Sequence, residues 1–280
     1  MKNLISALKE ALNEKQPLPY SVYSSIKEQK ILNVPVVKPM LIAVLSGNKA
    51  LGRDGEISCT TGNFIFLSNN AAIDMRNIPQ DNEYLALLIE FEYQDFEGLE
   101  VNRVNKHNYC VGDITLTLEK CLQQFVEWSR WAPETLWPIR RKELIQLMCY
   151  LGHKDILSMV ASPQIGHKLH ALFTEQLTER QTETGNKNHS EELTMESMCK
   201  QLAMSESTMR RKLKSEGVKL QDIKDQVKLG LGLHLLQSTL YPISYVAQKC
   251  GYHSQSRFTS RFKARFGLTP SALRKTRLAD

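Results

Sequence analysis

Near its C-terminus the chain reads C-G-Y-H-S-Q-S-R-F-T-S-R-F-K-A-R-F-G-L-T-P, Cys250 to Pro270, with phenylalanines at 258, 262 and 266 and arginines at 257, 261 and 265. A spacing of four puts the rings on one stripe of a helix and leaves cations, hydroxyls and an amide on the rest of its surface. Such a surface is either a solvated face or one that meets a polyanion, since phosphates and base edges accept hydrogen bonds from these groups. A second stretch, Met198 to Lys214, repeats the layout. There Met209 and Leu213 make the apolar stripe, and Ser207, Arg210, Arg211 and Lys214 fall at i, i+3, i+4 and i+7, one continuous outer face. In the later stretch Ser256, Thr259, Ser260 and Lys263 share a face of their own, next to Gln255 and Arg261.

Both stretches carry the elements needed to hold such faces. Ser205 and Ser254 are N-cap residues whose hydroxyls accept from the free amides of a first helical turn. Each is preceded by a short helical segment and a corner with a small residue, Ala203 or Gly251, where two helices approach closely. Two capped units with one layout, a helix-turn-helix occurring twice, favour the polyanion over the solvated face. The aromatics themselves are core.

Charge agrees with this placement. Residues 190–280 hold 16 Lys and Arg against 8 Asp and Glu, or +8, whereas residues 1–189 hold 20 against 22, or −2. A basic nucleic-acid or membrane-surface module is therefore joined to a near-neutral partner. A membrane surface wants aromatic anchors at the polar face, and here the aromatics lie on the buried stripe, so no membrane partner is expected. No apolar run approaches the ~20 residues of a transmembrane helix. The start, M-K-N-L-I-S-A-L-K-E-A-L, has Lys9 and Glu10 where a signal peptide needs an apolar centre, and reads as an amphipathic helix. Six scattered cysteines without a CxxC pair suit a reducing cytoplasm.

From about 20 to 100 the chain predicts short strands, among them Met40–Leu45, Asn63–Leu67 and 84–91, bounded by turn signals such as Ser46-Gly47-Asn48 and Thr61-Gly62-Asn63. A small antiparallel barrel or sandwich fits them. Periodicity alone leaves a helix open for 84–91. Helices follow over about 115–180: one to about Trp131 with Leu118, Leu122, Phe125 and Trp128 on a broad apolar face, then Arg140–Leu151 and roughly Ser162–Leu177. A polar stretch at 181–192 predicts a linker.

Residues 194–277 resemble the DNA-binding domain of the AraC/XylS family of bacterial transcription regulators. The resemblance rests on Met204-Ser205, Lys228-Leu229, Leu235-Leu236, Ile243, Val246-Ala247, Gly251-Tyr252, Phe258, Phe262-Lys263, Phe266-Gly267, Thr269-Pro270 and Arg274. Lys228 stands where the family usually has Arg, and Gly232 where it usually has Ala, which lowers the helix propensity of the central segment. The segment from Val36 to Phe96 is similar to the effector and dimerisation domain of one branch of that family.

The resemblance implies an α+β protein. An effector-binding and dimerisation domain over 1–180 would hold a cupin-like β-barrel at about 20–100 and helices at about 115–180. A linker at 181–192 would lead to an all-α DNA-binding domain at 193–280 with two helix-turn-helix motifs. It implies two recognition helices entering successive major grooves of promoter DNA. Arg210 and Arg211 are suited to bidentate guanine contacts, with Ser207, Gln255, Ser256, Thr259, Ser260 and Arg261 as neighbouring readers and Lys214 and Lys263 on phosphate. Whether Ser260 or Arg261 reads bases stays open. RNA polymerase, a small-molecule effector and a second copy of the chain are the other implied partners. The dimer is expected through Leu118, Leu122, Phe125 and Trp128, and the location is cytoplasmic and nucleoid-associated.

The expected function is a sequence-specific DNA-binding transcription regulator, an activator controlled by a small molecule or another cytoplasmic cue, without enzymatic activity or cofactor. The alternative is a cupin-type metal-binding or catalytic domain carrying a DNA-binding module. That alternative needs clustered ligands, yet no histidine falls within 1–106, and His167 and His170 make only a weak two-residue pattern. Lys38, Lys49, Arg53 and Arg76 are candidates for holding a carboxylate at a barrel mouth.

Overall fold

A computed structural model describes residues 1–12, 17–68, 70–99, 109–160, 165–182 and 193–277. They fall into two compact units, Met1–Ala161 with Leu273–Asp280, and Ser162–Ala272.

The first unit opens with the expected amphipathic helix, α1 (Lys2–Leu12), which buries Leu4, Ala7, Leu8 and Ala11. Nine strands follow among the described residues: β1 (Ser21–Ser25), β2 (Gln29–Val36), β3 (Met40–Ser46), β4 (Asn48–Leu51), β5 (Ile57–Thr60), β6 (Asn63–Leu67), β7 (Asn70–Ile78), β8 (Tyr84–Glu90) and β9 (Tyr109–Asp113). Among the described residues the ladders form two sheets, β1-β8-β3-β6-β9 and β2-β7-β4-β5, all antiparallel. The arrangement is cupin-like, with two facing sheets as in the sandwich the strand pattern also allows; among the described residues the ladders do not close a barrel. The chain passes from one sheet to the other between β3 and β4 at Gly47, with φ +77°. A Cβ there would lie 2.6 Å from the Ile78 carbonyl oxygen, so the corner requires glycine.

Period-2 alternation in the central strands feeds two cores. Leu41, Ala43, Phe64, Phe66, Leu87 and Ile89 pack toward α1 and the later helices. Ile42, Val44, Ile65, Leu67, Ala86 and Leu88 join Val36, Leu51, Cys59, Ile73 and Met75 of the other sheet. A strand covered on both faces is apolar throughout. That is why residues 84–90 lack alternation and are nevertheless a strand.

α2 (Leu116–Ser129) is capped by Thr115, whose hydroxyl accepts from Leu118 N, and α3 (Trp137–Tyr150) and the short α4 (Asp155–Ser158) complete the helical layer. The apolar face expected to pair two subunits is covered within this unit: Leu118 and Leu122 are 0% exposed and Phe125 1%. Trp128 is covered by Trp131 and by the Arg140 guanidinium, 5.5 Å from its ring. The large apolar side chains of this helical layer that do reach solvent are Leu116, Trp131, Leu136, Ile139 and Tyr150. A bidentate ion pair, Arg141 Nε to Asp95 Oδ2 at 2.6 Å and Nη2 to Oδ1 at 3.2 Å, ties α3 to the loop after β8.

Of the four cations placed at a barrel mouth, three have other surroundings. Lys38 pairs with Glu92 and Arg76 with Glu28. Lys49 of β4 is buried; it donates to Asn77 Oδ1 (2.7 Å), and burial lowers its pKa to about 8. Arg53 is exposed.

The second unit consists of α5 (Ile165–Thr182), α6 (Met195–Gln201), α7 (Glu206–Ser215), α8 (Leu220–Ser238), α9 (Ile243–Lys249), α10 (Gln255–Phe266) and most of α11 (Pro270–Arg274). α5, which the sequence groups with the N-terminal domain, belongs here. Its stripe of Ile165, Leu169, Phe173 and Leu177 is buried against Met198, Met209, Leu213, Ile223 and Val227. The Glu216 carboxylate, just past α7, accepts from the backbone N–H of Ile165 (2.7 Å) and of Gly166 (2.9 Å), so the first turn of α5 is capped from outside. Residues 183–192 of the expected linker lie outside the described residues. At the other end, residues from Leu273 group with the first unit, where Gln29 Nε2 donates to Thr276 Oγ1 at 2.8 Å.

Gly232 has a spatial reason. A Cβ there would sit 2.8 Å from Cε2 of the fully buried Phe258 ring, so the glycine lets α8 and α10 approach. Its low helix propensity is offset by this packing.

Candidate nucleic-acid interface

Two helix pairs, α6–α7 and α9–α10, build the surface. In the first, α6 ends at Leu202 and the chain turns through Ala203, at φ +49°, with Met204 N donating to Cys199 O (3.0 Å). In the second, α9 ends at Cys250 and the turn passes through Gly251, at φ +73°, with Tyr252 N donating to Ala247 O (3.0 Å). These are the same left-handed corner, and glycine occupies it without the Cβ penalty that alanine meets. The second turn is one residue longer before its cap. Ser205 Oγ accepts from Thr208 N and Ser254 Oγ from Arg257 N, each at 3.3 Å, as the sequence predicts.

Beyond the caps the two recognition helices run in register. Met209 and Leu213 are buried in α7, and Phe258, Phe262 and Phe266 in α10, where neighbouring rings stand 5.5 and 4.6 Å apart. At about 100° per residue, Ser207, Arg210, Arg211 and Lys214 occupy an arc of about 100° opposite the α7 stripe. Ser256, Thr259, Ser260 and Lys263 occupy the same arc of α10. All are exposed except Thr259, which is half-buried. Position for position, the two guanidiniums of the first face are replaced by two hydroxyls in the second.

The arginines of α10 lie elsewhere on its circumference. Arg261 is about 100° round from Ser260, turned toward α8, where its Nη2 meets Asp225 Oδ2 at 3.1 Å. Arg265 is half-buried, its charge disfavoured by that burial and favoured by Asp222 and Asp225. Lys228 stands 6.0 Å from the Tyr252 ring, and burial raises the Tyr252 hydroxyl to about 12. In α7, Arg210 pairs within its own helix, Nη2 to Glu206 Oε1 at 2.6 Å. Thus Ser207, Arg210, Arg211 and Lys214 share one face, as do Ser256, Thr259, Ser260 and Lys263. Gln255 sits exposed at the N-terminal end of α10 and Arg261 on its flank. Asp225, Glu206 and Lys228 are the charged neighbours that sequence reasoning did not connect to these helices.

Among the described residues, no group of three or more His, Cys, Asp or Glu is placed to share a metal ion. Burial lowers the pKa of His167, and His170 lies beside Thr174 Oγ1 at 3.3 Å. No described helix is long and apolar enough to cross a membrane.

A family profile described as a helix-turn-helix domain matches residues 198–276, the span from α6 to just past α11. Residues 198–276 are an AraC-type helix-turn-helix domain. Relatives of this AraC-type domain include the urease operon transcriptional activator of Escherichia coli, 31% identical over 80 residues. The regulator GadX of Escherichia coli O6:H1 is 33% identical over 86 residues. These matches span 29% and 31% of this chain, and 27% and 31% of the relatives' own lengths.

The likeness in fold extends further. A single-residue variant of apo ToxT from Vibrio cholerae strain SCE256 superposes with a TM-score of 0.62 at 14% identity, covering 95% of this chain and 100% of that one. Wild-type ToxT with bound unsaturated fatty acid gives 0.58 at 15% identity, over 93% and 96% of the two chains. The likeness to the ToxT fold thus takes in 95% of this chain, cupin-like sheets included.

Proposed function

We propose that the chain is a sequence-specific DNA-binding transcription regulator, an activator responsive to a small molecule. The observation that carries this reading is the pair of Ser-capped helices presenting matched polar and basic faces within the AraC-type domain. The relatives named as regulators support it. In this reading Arg210 and Arg211 make bidentate guanine contacts. Ser207, Gln255, Ser256, Thr259 and Ser260 read or flank bases, and Lys214 and Lys263 meet phosphate. RNA polymerase as a partner, a cytoplasmic, nucleoid-associated location and the absence of enzymatic activity belong to the same reading.

The test is a binding titration against a duplex enriched by the protein from a randomised pool and against a scrambled duplex. Arg211→Ala should weaken binding to the enriched duplex by about 1–3 kcal/mol and to the scrambled one much less. Equal losses on both would reassign Arg211 to phosphate. Affinity should also fall steeply with salt as phosphate counterions are released, and a flat response would leave the +8 charge of residues 190–280 without a binding role.

For the signal, the reading is an amphipathic small molecule taken up by the cupin-like unit. The fold shared with a fatty-acid-bound ToxT supports it, as do the apolar inter-sheet core and the buried Lys49 on its border. A thermal shift of the full chain with an unsaturated fatty acid, accompanied by changed DNA affinity, is the expected result; neither effect with any amphiphile would remove the sensor role.

For assembly, the reading is a homodimer through the α2–α3 surface. Leu116 and Tyr150, 71% and 85% exposed, flank a groove of about 670 Å³ whose walls carry Lys120 and Glu143, opposite charges that a two-fold axis can match. Sedimentation of wild type and Tyr150→Ser should show a dimer weakened by the substitution. A monomer at high concentration, with and without DNA, would contradict it.

A further inference from the structure

The two recognition helices differ in how an arginine is held, Arg210 within its own helix and Arg261 from α8, and the α10 arrangement points to a residue outside both motifs. Asp225 lies on α8, the long helix that joins them. Its Oδ2 accepts from Arg261 Nη2 at 3.1 Å, while its Oδ1 accepts from Gln221 Nε2 at 3.2 Å, one turn back on the same helix. The carboxylate is thus oriented from its own helix and presented to α10. Arg261 is 55% exposed and Asp225 31%, so the pair stands in water at the rim and contributes little to stability. Its geometric effect is larger. It draws the guanidinium toward α8, off the arc that Ser256, Ser260 and Lys263 share. No ion pair is found for Arg257 among the described residues, and Arg265, whose charge Asp222 and Asp225 also favour, is half-buried, so Arg261 is the exposed arginine of α10 that Asp225 holds.

Resting on the DNA-binding reading above, we infer that Asp225 is a specificity-determining positioning residue: it holds Arg261 beside the base-facing surface of α10 and withholds its charge from indiscriminate phosphate contact. A free guanidinium on a flexible stem reaches any nearby phosphate and strengthens binding to every sequence alike. A guanidinium fixed by a carboxylate enters the complex in one orientation, with its remaining N–H donors directed past the pair. The hydroxyls of Ser256, Thr259 and Ser260 accept or donate and discriminate weakly by themselves. Keeping Arg261 out of generic contacts lets their preference show.

The full-length protein, as wild type, Asp225→Asn, Asp225→Glu, Arg261→Ala and the Asp225→Asn/Arg261→Ala double variant, is titrated against the wild-type-enriched duplex and a scrambled duplex at several salt concentrations. Asp225→Asn should keep a cooperative melt, bind the scrambled duplex about 3- to 10-fold more tightly and lower the enriched-to-scrambled ratio about 5- to 10-fold. Its salt dependence should steepen by about 0.9 in log–log slope, the signature of one more phosphate contact. Asp225→Glu should restore the ratio, and in the Arg261→Ala background Asp225→Asn should leave it unchanged. An unchanged ratio in Asp225→Asn overturns the inference, and so does an equal change with Arg261 absent, which would make Asp225 a general electrostatic contributor. Failure of the wild type to enrich any duplex would instead sink the DNA-binding reading, and this inference with it.

Discussion

The first helix-turn-helix and the second share a corner, a serine cap and an outer arc, yet they are supported and charged differently. The first has Ala203 at the left-handed corner, a slim stripe of Met209 and Leu213, and an essential neighbour, α5, that lies before the matched domain. The second has Gly251 at the corner and a stripe of three phenylalanines in tilted and edge-to-face contact, and it leans on α8. At two positions of the outer arc the first presents guanidiniums, Arg210 and Arg211, where the second presents hydroxyls, Thr259 and Ser260. One architecture thus separates two tasks. The motif with the richer donor set rests on a borrowed support, and the motif with the sturdier core carries the milder face.

Substitution of each core should expose that difference most strongly. Phe262→Ala removes a fully buried ring and should cost about 3–5 kcal/mol in denaturant unfolding. A loss of ~1 kcal/mol would mean that the second motif does not depend on its aromatic stripe. Leu169→Ala, also 0% exposed, should cost about 2–5 kcal/mol. Amide exchange should then accelerate in α7 more than in α10. Equal acceleration in both would erase the distinction in support.

The faces should separate by a smaller amount. Arg210→Ala or Arg211→Ala should each lose about 1–3 kcal/mol on the enriched duplex, against less than about 1 kcal/mol for Thr259→Ala or Ser260→Ala. Comparable losses from the two helices would show that hydroxyls read as strongly as guanidiniums here. The smallest effects should come from the corners. Ala203→Gly relieves a left-handed alanine and should stabilise by up to about 1 kcal/mol, whereas Gly251→Ala should destabilise by about 1–2 kcal/mol. Since a Cβ on Gly251 meets nothing closer than Lys228 Cε at 3.7 Å, that cost would come from the backbone alone. Thermal melts of both variants would check it.

Much of this was legible in the residues. Four-residue spacing of Phe258, Phe262 and Phe266 fixed the buried side of α10, and the serines marked both caps, because helix periodicity and capping are local properties. The apolar runs at Met40, Asn63 and Tyr84 announced strands. That all three join one sheet, in the order β8-β3-β6, was not legible, since a run buried on both faces carries no alternation and its ladder partners lie far along the chain. The face of α2 was misread for a related reason. Leu118, Leu122 and Phe125 show that something covers them, and pattern alone does not say whether α1 and α3 or a second subunit does so.

The sequence by itself determined a basic C-terminal third, two capped helices and which four side chains of each share an outer arc, because these depend on composition and on steps of about 100° within one helix. Only the tertiary structure decided that α5 completes the first motif, that Gly232 yields its space to Phe258, and that Arg261 answers to Asp225. Each of these joins residues from different helices. Such contacts depend on how close two elements approach and at what angle, and that is set by packing of the whole core rather than by any local run of residues.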